Sequence, residues 1–296
     1  MKILIVSNDS AGAEILSSWV RQHPENIYSY ILGSPAEKIF RRKITLFNNI
    51  AINQLERIIK EFDCVMTGTS QTSDIEKKAI ICAKKNNINV ISILDYWTNF
   101  SKRFIVDGIF VYPDEIWVTD KYALNNAKKE LPGSNIFLRK NPYIEELLLK
   151  KISKSNNKLG TNILYVCQPF NENNLTDIEA LDYFFSKVLK LKSDLNEIRL
   201  RLHPLESRSK YRSVVNKYIE YFEIDIINES PLSDDLNWSD CVVGMHAQAL
   251  AVAVEFGLKT FYCIPPKGKE CVLPHIEILN FEKYLELDKN SKKSIF

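Results

Sequence analysis

The chain has 296 residues, 45% hydrophobic and 26% charged, with 39 basic and 37 acidic side chains for a formal net charge of +2. That balance excludes a disordered or fibrous chain, and so small a charge gives no overall field directed at nucleic acid. The length exceeds one ordinary core and suits two domains of roughly 150 residues each.

Apolar runs alternate with longer stretches of helical period, the rhythm of βαβ units on a largely parallel sheet, and the pattern runs through twice. The expected fold class is α/β, two Rossmann-like domains with a cleft between them. In the first half strands are expected at Ile3–Ser7, Tyr28–Leu32, Cys64–Thr67, Val90–Leu94 and Glu115–Val118, with helices at Ala13–Gln22, Ile52–Glu61, Ser73–Lys85 and Lys121–Glu130.

The first strand runs into Ser7-Asn8-Asp9-Ser10-Ala11-Gly12-Ala13-Glu14. This is the place of a ligand loop, but it lacks the full Gly-x-Gly-x-x-Gly fingerprint, so no nicotinamide cofactor is expected. Asp9 or Glu14 suits a general base that takes a proton from an acceptor hydroxyl, with Ser10 and Gly12 facing the acceptor. The plainer alternative has Asp9 or Ser10 cap the helix and Glu14 favour its positive end. The third strand leads into a hydroxyl-rich turn that offers Thr69 and Ser70 to an acceptor. The fourth leads into Leu94-Asp95-Tyr96-Trp97, with Asp95 placed for acid–base work and Trp97 for sugar stacking, unless the aromatics simply pack the loop. The run Arg103–Tyr112 reads as a substrate-covering segment, and Asn141-Pro142-Tyr143 as a turn. Lys77, Lys78, Lys84 and Lys85 read as a solvated helix face.

The Lys/Ser/Asn-rich stretch Leu149–Gly160 reads as a linker. It divides the chain into residues 1–155, an acceptor-side unit, and 156–296, a nucleotide-sugar-binding unit. The second half restarts with strands at Asn162–Cys167, Ile198–Leu202, Ile224–Ile227, Cys241–Val243 and Thr260–Cys263, and its clearest helices are Leu175–Leu191 and Leu250–Phe256. In Arg199-Leu200-Arg201-Leu202-His203-Pro204 the proline ends the strand, which puts His203 at the carboxyl end, where open α/β sheets bind ligands. A histidine there can bond to a phosphate oxygen, or to a neighbouring loop carbonyl instead. In Val242-Val243-Gly244-Met245-His246-Ala247-Gln248-Ala249-Leu250 a strand, a glycine turn and a small-residue helix follow one another, and the N–H groups of such a helix start attract phosphate. Gly244, His246 and Gln248 are therefore candidates to hold a monophosphate or diphosphate. Glu255, two turns on, either reaches a sugar hydroxyl or stands in solvent.

The strand ending in RLHP and the later run WSDCVVGMHAQALAVAVEFGLKTFYCIPP resemble the C-terminal domain of bacterial sugar-nucleotide glycosyltransferases of the GT-B fold. The His-Pro pair is similar to that of sialyl- and Kdo-type transferases that use cytidine nucleotides. The resemblance implies that His203 and Pro204 meet the donor phosphate and that the donor is CMP-linked. Met245-His246-Ala247 departs from the family's usual hydroxyl residue, and Glu255 stands without the paired glutamate of retaining enzymes. The implied activity is a metal-independent glycosyltransferase without a cofactor, moving an acidic nonulosonic-type sugar to a bacterial surface glycan or glycoprotein, with no nucleic-acid partner. Two alternatives stand beside it: a UDP-sugar 2-epimerase or hydrolase on the same architecture, and a non-catalytic partner subunit that kept the fold.

The six cysteines include no Cys-x-x-Cys pair and several lie in apolar runs, which predicts buried free thiols in a reducing compartment. The chain opens on the strand-like Lys2-Ile3-Leu4-Ile5-Val6 with no signal-peptide pattern, and no apolar run reaches the roughly 18 residues that span a bilayer. A cytoplasmic protein is expected, with peripheral association at the inner face of the membrane left open.

Overall fold

The computed structural model describes residues 1–45, 48–153, 161–172, 175–189, 195–204, 206–228 and 230–289. The chain divides into two compact units, Met1–Glu146 and Leu147–Phe296. The expected boundary at residue 155 and most of the expected linker lie outside the described residues, as do the last two residues of the expected helix Leu175–Leu191.

In the first unit the elements run β1 (Lys2–Ser7), α1 (Ser10–Gln22), β2 (Ile27–Leu32), α2 (Ala36–Lys43), α3 (Leu55–Ile58), β3 (Cys64–Thr67), α4 (Ile75–Lys85), β4 (Asn89–Ile93), the small hairpin β5 (Ile105–Val106) and β6 (Ile109–Phe110), β7 (Glu115–Val118), α5 (Lys121–Glu130), β8 (Ile136–Leu138) and α6 (Pro142–Leu149), the last running on into the second unit. All strands of the six-stranded sheet are parallel, in the order β2-β1-β3-β4-β7-β8. Every residue of β1 after Lys2 is buried, as is all of β3. Parallel strands need this continuous apolar character, because helices cover both faces. One face packs Ile3, Ile5, Tyr30 and Met66 against Leu16 and Val20 of α1 and Phe40 of α2. Sequence rhythm did not announce α2, whose eight residues bury only Ala36, Ile39 and Phe40 among charges.

The second unit runs β9 (Thr161–Val166), a short β10–β11 hairpin (Asn171–Glu172, Leu175–Thr176), α7 (Asp177–Val188), β12 (Leu195–Arg201), α8 (Arg208–Val215), β13 (Ile224–Ile227), α9 (Leu232–Trp238), β14 (Cys241–Gly244), α10 (Gln248–Glu255), β15 (Lys259–Tyr262), β16 (Ile278–Asn280) and α11 (Phe281–Lys289). Its sheet is again six-stranded and parallel, in the order β13-β12-β9-β14-β15-β16. An aromatic core of Phe184, Phe185, Tyr211, Phe261 and Phe281 joins its helices to the sheet. Helix α7 starts with a capping box: the Glu179 amide donates to Thr176 Oγ1 at 3.2 Å and the Thr176 amide donates to Glu179 Oε2 at 2.8 Å.

Five cysteines are buried, Cys271 is half-buried, and all six are free thiols. One expectation is corrected. Lys77 lies on the buried side of α4, only 8% exposed, with Nζ 2.8 Å from Asp74 Oδ1, because its long stem covers apolar surface and only its tip needs a polar partner. No helix among the described residues is long and apolar enough to cross a membrane.

Candidate functional site

Each sheet reverses its winding once, between β1 and β3 in the first unit and between β9 and β14 in the second. Open α/β sheets gather ligands outside the carboxyl ends of the strands at such points. The sequence candidates fall largely on these two ends.

In the first unit Asp9 follows β1 and takes the N-cap position of α1 with an extended backbone, yet its side chain makes no cap bond. Asp9 Oδ1 instead accepts from Asn8 Nδ2 at 2.8 Å and from the Ser70 hydroxyl at 2.9 Å, which ties the ends of β1 and β3 together. Ser70 Oγ in turn accepts the amides of Thr72 and Ser73 at 3.1 and 3.0 Å, so its proton is directed to Asp9. Asp95, past the end of β4, is 5% exposed and faces Arg103, which is equally buried. Arg103 Nη1 donates to Asp95 Oδ1 at 2.8 Å and to the carbonyl and hydroxyl of Thr69 at 2.6 and 3.1 Å. The Gly12 amide, in the first turn of α1, also donates to the Asp95 carboxyl. A Cβ on Gly12 would stand 3.3 Å from both Asp95 Oδ2 and Gly68 Cα, so a side chain there would press on the acid and on the turn after β3.

Glu76, in the first turn of α4, completes the cluster. It is 2% exposed, and its Oε1 accepts the Asn8 amide at 2.7 Å. Burial pushes its carboxyl up from 4.5 to about 7, with the nearby Asp9 and Asp95 adding to the rise and two backbone amides opposing it. Burial likewise raises Asp95, against the Arg103 guanidinium. Arg103 pairs with Asp95, and Glu76 and Asp95, both raised by burial, are groups able to hold protons above the ordinary carboxylate range. Among the described residues, Ser7 Oγ, Glu76 Oε2 and Arg103 Nε are buried without a hydrogen-bond partner.

Glu14 faces away from this cluster's chemistry and is held by cations, with Lys43 Nζ and an Arg42 amino group each 2.5 Å from its carboxylate. Ser10 opens α1. Trp97 is 6% exposed, and its indole N–H donates to Asp120 Oδ2 at 2.6 Å; together with the fully buried Phe100 it packs the loop after β4. Glu76 and Arg103 escaped the sequence reading, Glu76 inside a run that looked like a charged helix surface and Arg103 inside an apparent covering segment.

In the second unit His203 follows β12 and His246 follows β14, the two strands that flank β9. The His203 carbonyl accepts the Glu206 amide at 2.9 Å, closing a turn in which Pro204 is exposed. His246 is 8% exposed, and its amide donates to Gln168 Oε1 at 2.9 Å, bridging the ends of β14 and β9. The Val272 amide donates to His246 Nδ1 at 3.4 Å. With Nδ1 accepting, a neutral ring carries its proton on Nε2. Phe170 stands beside the ring, 5.5 Å between centroids. Gly244 has a packing reason to be glycine: a Cβ there would meet Val166 Cγ2 at 2.7 Å and the Val166 carbonyl at 3.1 Å. Gln248 opens α10 half-buried, and Glu255, its last residue, is exposed.

A second polar network, absent from the sequence reading, lies between the starts of α7 and α8. The Tyr211 hydroxyl is 2.8 Å from Asp177 Oδ2 and 2.6 Å from Glu206 Oε2, and Lys210 Nζ pairs with both carboxylates. Burial holds the Tyr211 phenol well above its ordinary range, so it remains a donor. Among the described residues no group of three or more His, Cys, Asp and Glu side chains is arranged to hold a metal ion.

No family model matches the chain, and no curated protein matches it in sequence. Solved structures do. Staphylococcus aureus MnaA with UDP is similar at a TM-score of 0.65 and 16% identity, over 88% of this chain and 79% of that one. UDP-GlcNAc 2-epimerase from Neisseria meningitidis bound to UDP-GlcNAc gives 0.62 at 14% identity, over 88% and 82%. The Escherichia coli heptosyltransferase WaaC with ADP-2-deoxy-2-fluoro heptose gives 0.52 at 11% identity, over 98% and 100%. At such identities the likeness speaks of backbone architecture, and it shows the fold: this chain is built as two parallel α/β domains of the GT-B type.

Proposed function

We propose that the chain is an enzyme acting on a nucleotide-linked sugar and that it transfers the sugar to a hydroxyl of a glycan or glycoprotein. The observation that carries this reading is the cluster of Asp9, Glu76, Asp95 and Arg103 at the carboxyl ends of the first sheet's strands, where burial raises the Glu76 and Asp95 carboxyls beside the half-buried Asp9. The fold likeness supports it, since the similar structures hold UDP, UDP-GlcNAc and an ADP-heptose analogue. In the proposed step Asp9 takes the proton of the acceptor hydroxyl while its oxygen forms a bond to the anomeric carbon. The bond from that carbon to the donor phosphate breaks, and its electron pair leaves with the nucleotide. Asp9 is preferred over the other two candidates because it is half-buried, whereas Asp95 is buried against Arg103 and Glu14 is paired with Lys43 and Arg42. His203, His246 and the start of α10 at Gln248 are proposed to stabilise the departing phosphate. A nucleotide-linked donor brings its own leaving group, so the reading calls for no further cofactor. The His-Pro pair at residues 203 and 204 favours a CMP-linked donor.

One observation favours a second reading. The N. meningitidis epimerase overlays with a TM-score of 0.62 against 0.52 for WaaC, which supports proton exchange at a UDP-linked sugar rather than transfer. Thermal unfolding with CMP, CDP, UMP and UDP, followed by turnover of the matching sugar nucleotides, tests both. A ligand bound only by the folded state adds about 2.7 kcal/mol at a hundred times its Kd. Stabilisation by a cytidine nucleotide, lost in His203→Ala, is expected for CMP-sugar transfer. Stabilisation by UDP, with solvent deuterium entering the sugar ring, marks the epimerase. No stabilisation by any of the four sinks both and leaves a non-catalytic subunit.

A further inference from the structure

The two oxygens of Glu76 are treated differently. Oε1 accepts the Asn8 amide at 2.7 Å, while Oε2 is buried with no hydrogen-bond partner among the described residues. A dry carboxylate oxygen is costly to bury, and so is an acid O–H without an acceptor, but the ion carries the larger penalty where no cation is paired with it among the described residues. The charges around it point the same way. Asp9 faces it from the β1–α1 turn and Asp95 from beyond β4, and both oppose its ionisation. The cations of the region are engaged elsewhere, Arg103 by Asp95 and Thr69, Lys77 by Asp74. The partner that Glu76 does hold, the Asn8 amide, belongs to the peptide just before Asp9. Asn8 is seated from its other side too: its Nδ2 donates to Asp9 Oδ1, and a Cβ on residue 33 would fall 2.1 Å from Asn8 Oδ1, so the side chain has room only because that residue is glycine.

We propose that Glu76 is a positioning residue for Asp9, keeping its own proton in the resting protein and fixing the Asn8–Asp9 turn through the Asn8 amide. The inference rests on the proposed function for the use made of Asp9, and on the geometry above for what Glu76 does to the turn. Loss of the Glu76 proton adds a negative charge to the cluster and makes the Asn8 bond charge-assisted, so turn and base change together over one pH interval. Transfer at Asp9 therefore changes rate across the midpoint of Glu76.

The test follows the Asn8 amide by nitrogen–proton NMR on the full chain without ligand, from about pH 5 to about pH 9. The wild-type resonance is expected to move with a midpoint near 7 and to stay fixed in Glu76→Gln, whose side-chain carbonyl keeps the Asn8 bond but does not titrate. Equal movement in both proteins, or no wild-type midpoint within about one unit of 7, overturns the proposal. If Glu76→Gln does not fold, Glu76→Asp replaces it, and an Asn8 midpoint unchanged by that shortening overturns the proposal as well. None of these readouts needs a substrate, so absence of turnover on every nucleotide sugar counts against the proposed function and leaves Glu76 decided. Where turnover is found, the kcat profile of the wild type is expected to bend near pH 7 and that of Glu76→Gln to lose this inflection, with KM within about twofold; an inflection retained in that variant overturns the role.

Discussion

The two sheet ends solve the same problem in opposite ways. Around Asp177 and Glu206 two buried carboxylates share one lysine and one phenol, and the network closes on itself. Around Asp95, Arg103 pairs with the Asp95 carboxyl while Asp9 and Glu76 are held by amide and hydroxyl donors, and Ser7 Oγ, Glu76 Oε2 and Arg103 Nε are buried without a hydrogen-bond partner among the described residues. A closed network gives rigidity to the turn after β12. An open one stores a proton and a local charge imbalance, which is what acid–base chemistry needs and what stability alone would remove.

The sharpest way to break the contrast is Arg103→Met. Removing the guanidinium leaves Asp95 buried without that cation, and a loss of about 3–5 kcal/mol in unfolding free energy is expected from urea titration. Next comes pH. Glu76 carries a raised value in the fold, about 7 against 4.5, so the folded state binds a proton that the unfolded chain has already released between those values. Stability from this group is highest below about pH 4.5, declines as pH rises to about 7, and is level above that. The decline amounts to about 3 kcal/mol at about 1.4 kcal/mol per unit, and Glu76→Gln should abolish it in denaturant titrations at successive pH values. Breaking the closed network is expected to cost less. Tyr211→Phe removes the phenolic proton from Asp177 and Glu206, and about 1–3 kcal/mol should be lost, with Lys210 still in contact with both acids. The smallest effect, about 1 kcal/mol, is expected from Thr176→Ala, which opens the capping box of α7 and leaves both networks intact.

Strand positions were legible from short apolar runs between turn signals: Cys64–Thr67, buried throughout, and the partly exposed Glu115–Val118 and Ile224–Ile227 all fall where the sequence rhythm puts them. Short elements were not. The three residues of β8 and of β16 carry too little pattern to separate from a loop. At the site, Asp9, Asp95, Thr69 and Ser70 were legible as strand-end residues, because position alone marks them. Glu76 and Arg103 owe their importance to burial and to partners far along the chain, Asn8 and Asp95 with Thr69 respectively, which no local window contains. Gly244 illustrates the reverse case, a glycine that suggested phosphate approach and that the structure uses to let β14 close against Val166.

Asp120 does two things with one carboxylate. Oδ1 accepts the Ala123 amide and starts α5, while Oδ2 accepts the Trp97 indole and holds the loop that follows Asp95. Fraying of that helix and release of the loop are thereby a single opening event. Amide hydrogens at Ala123 and in the loop after β4 should exchange with deuterium at matched opening free energies, so a helix on the flank of the sheet sets how long the acid beside Arg103 stays sealed from water.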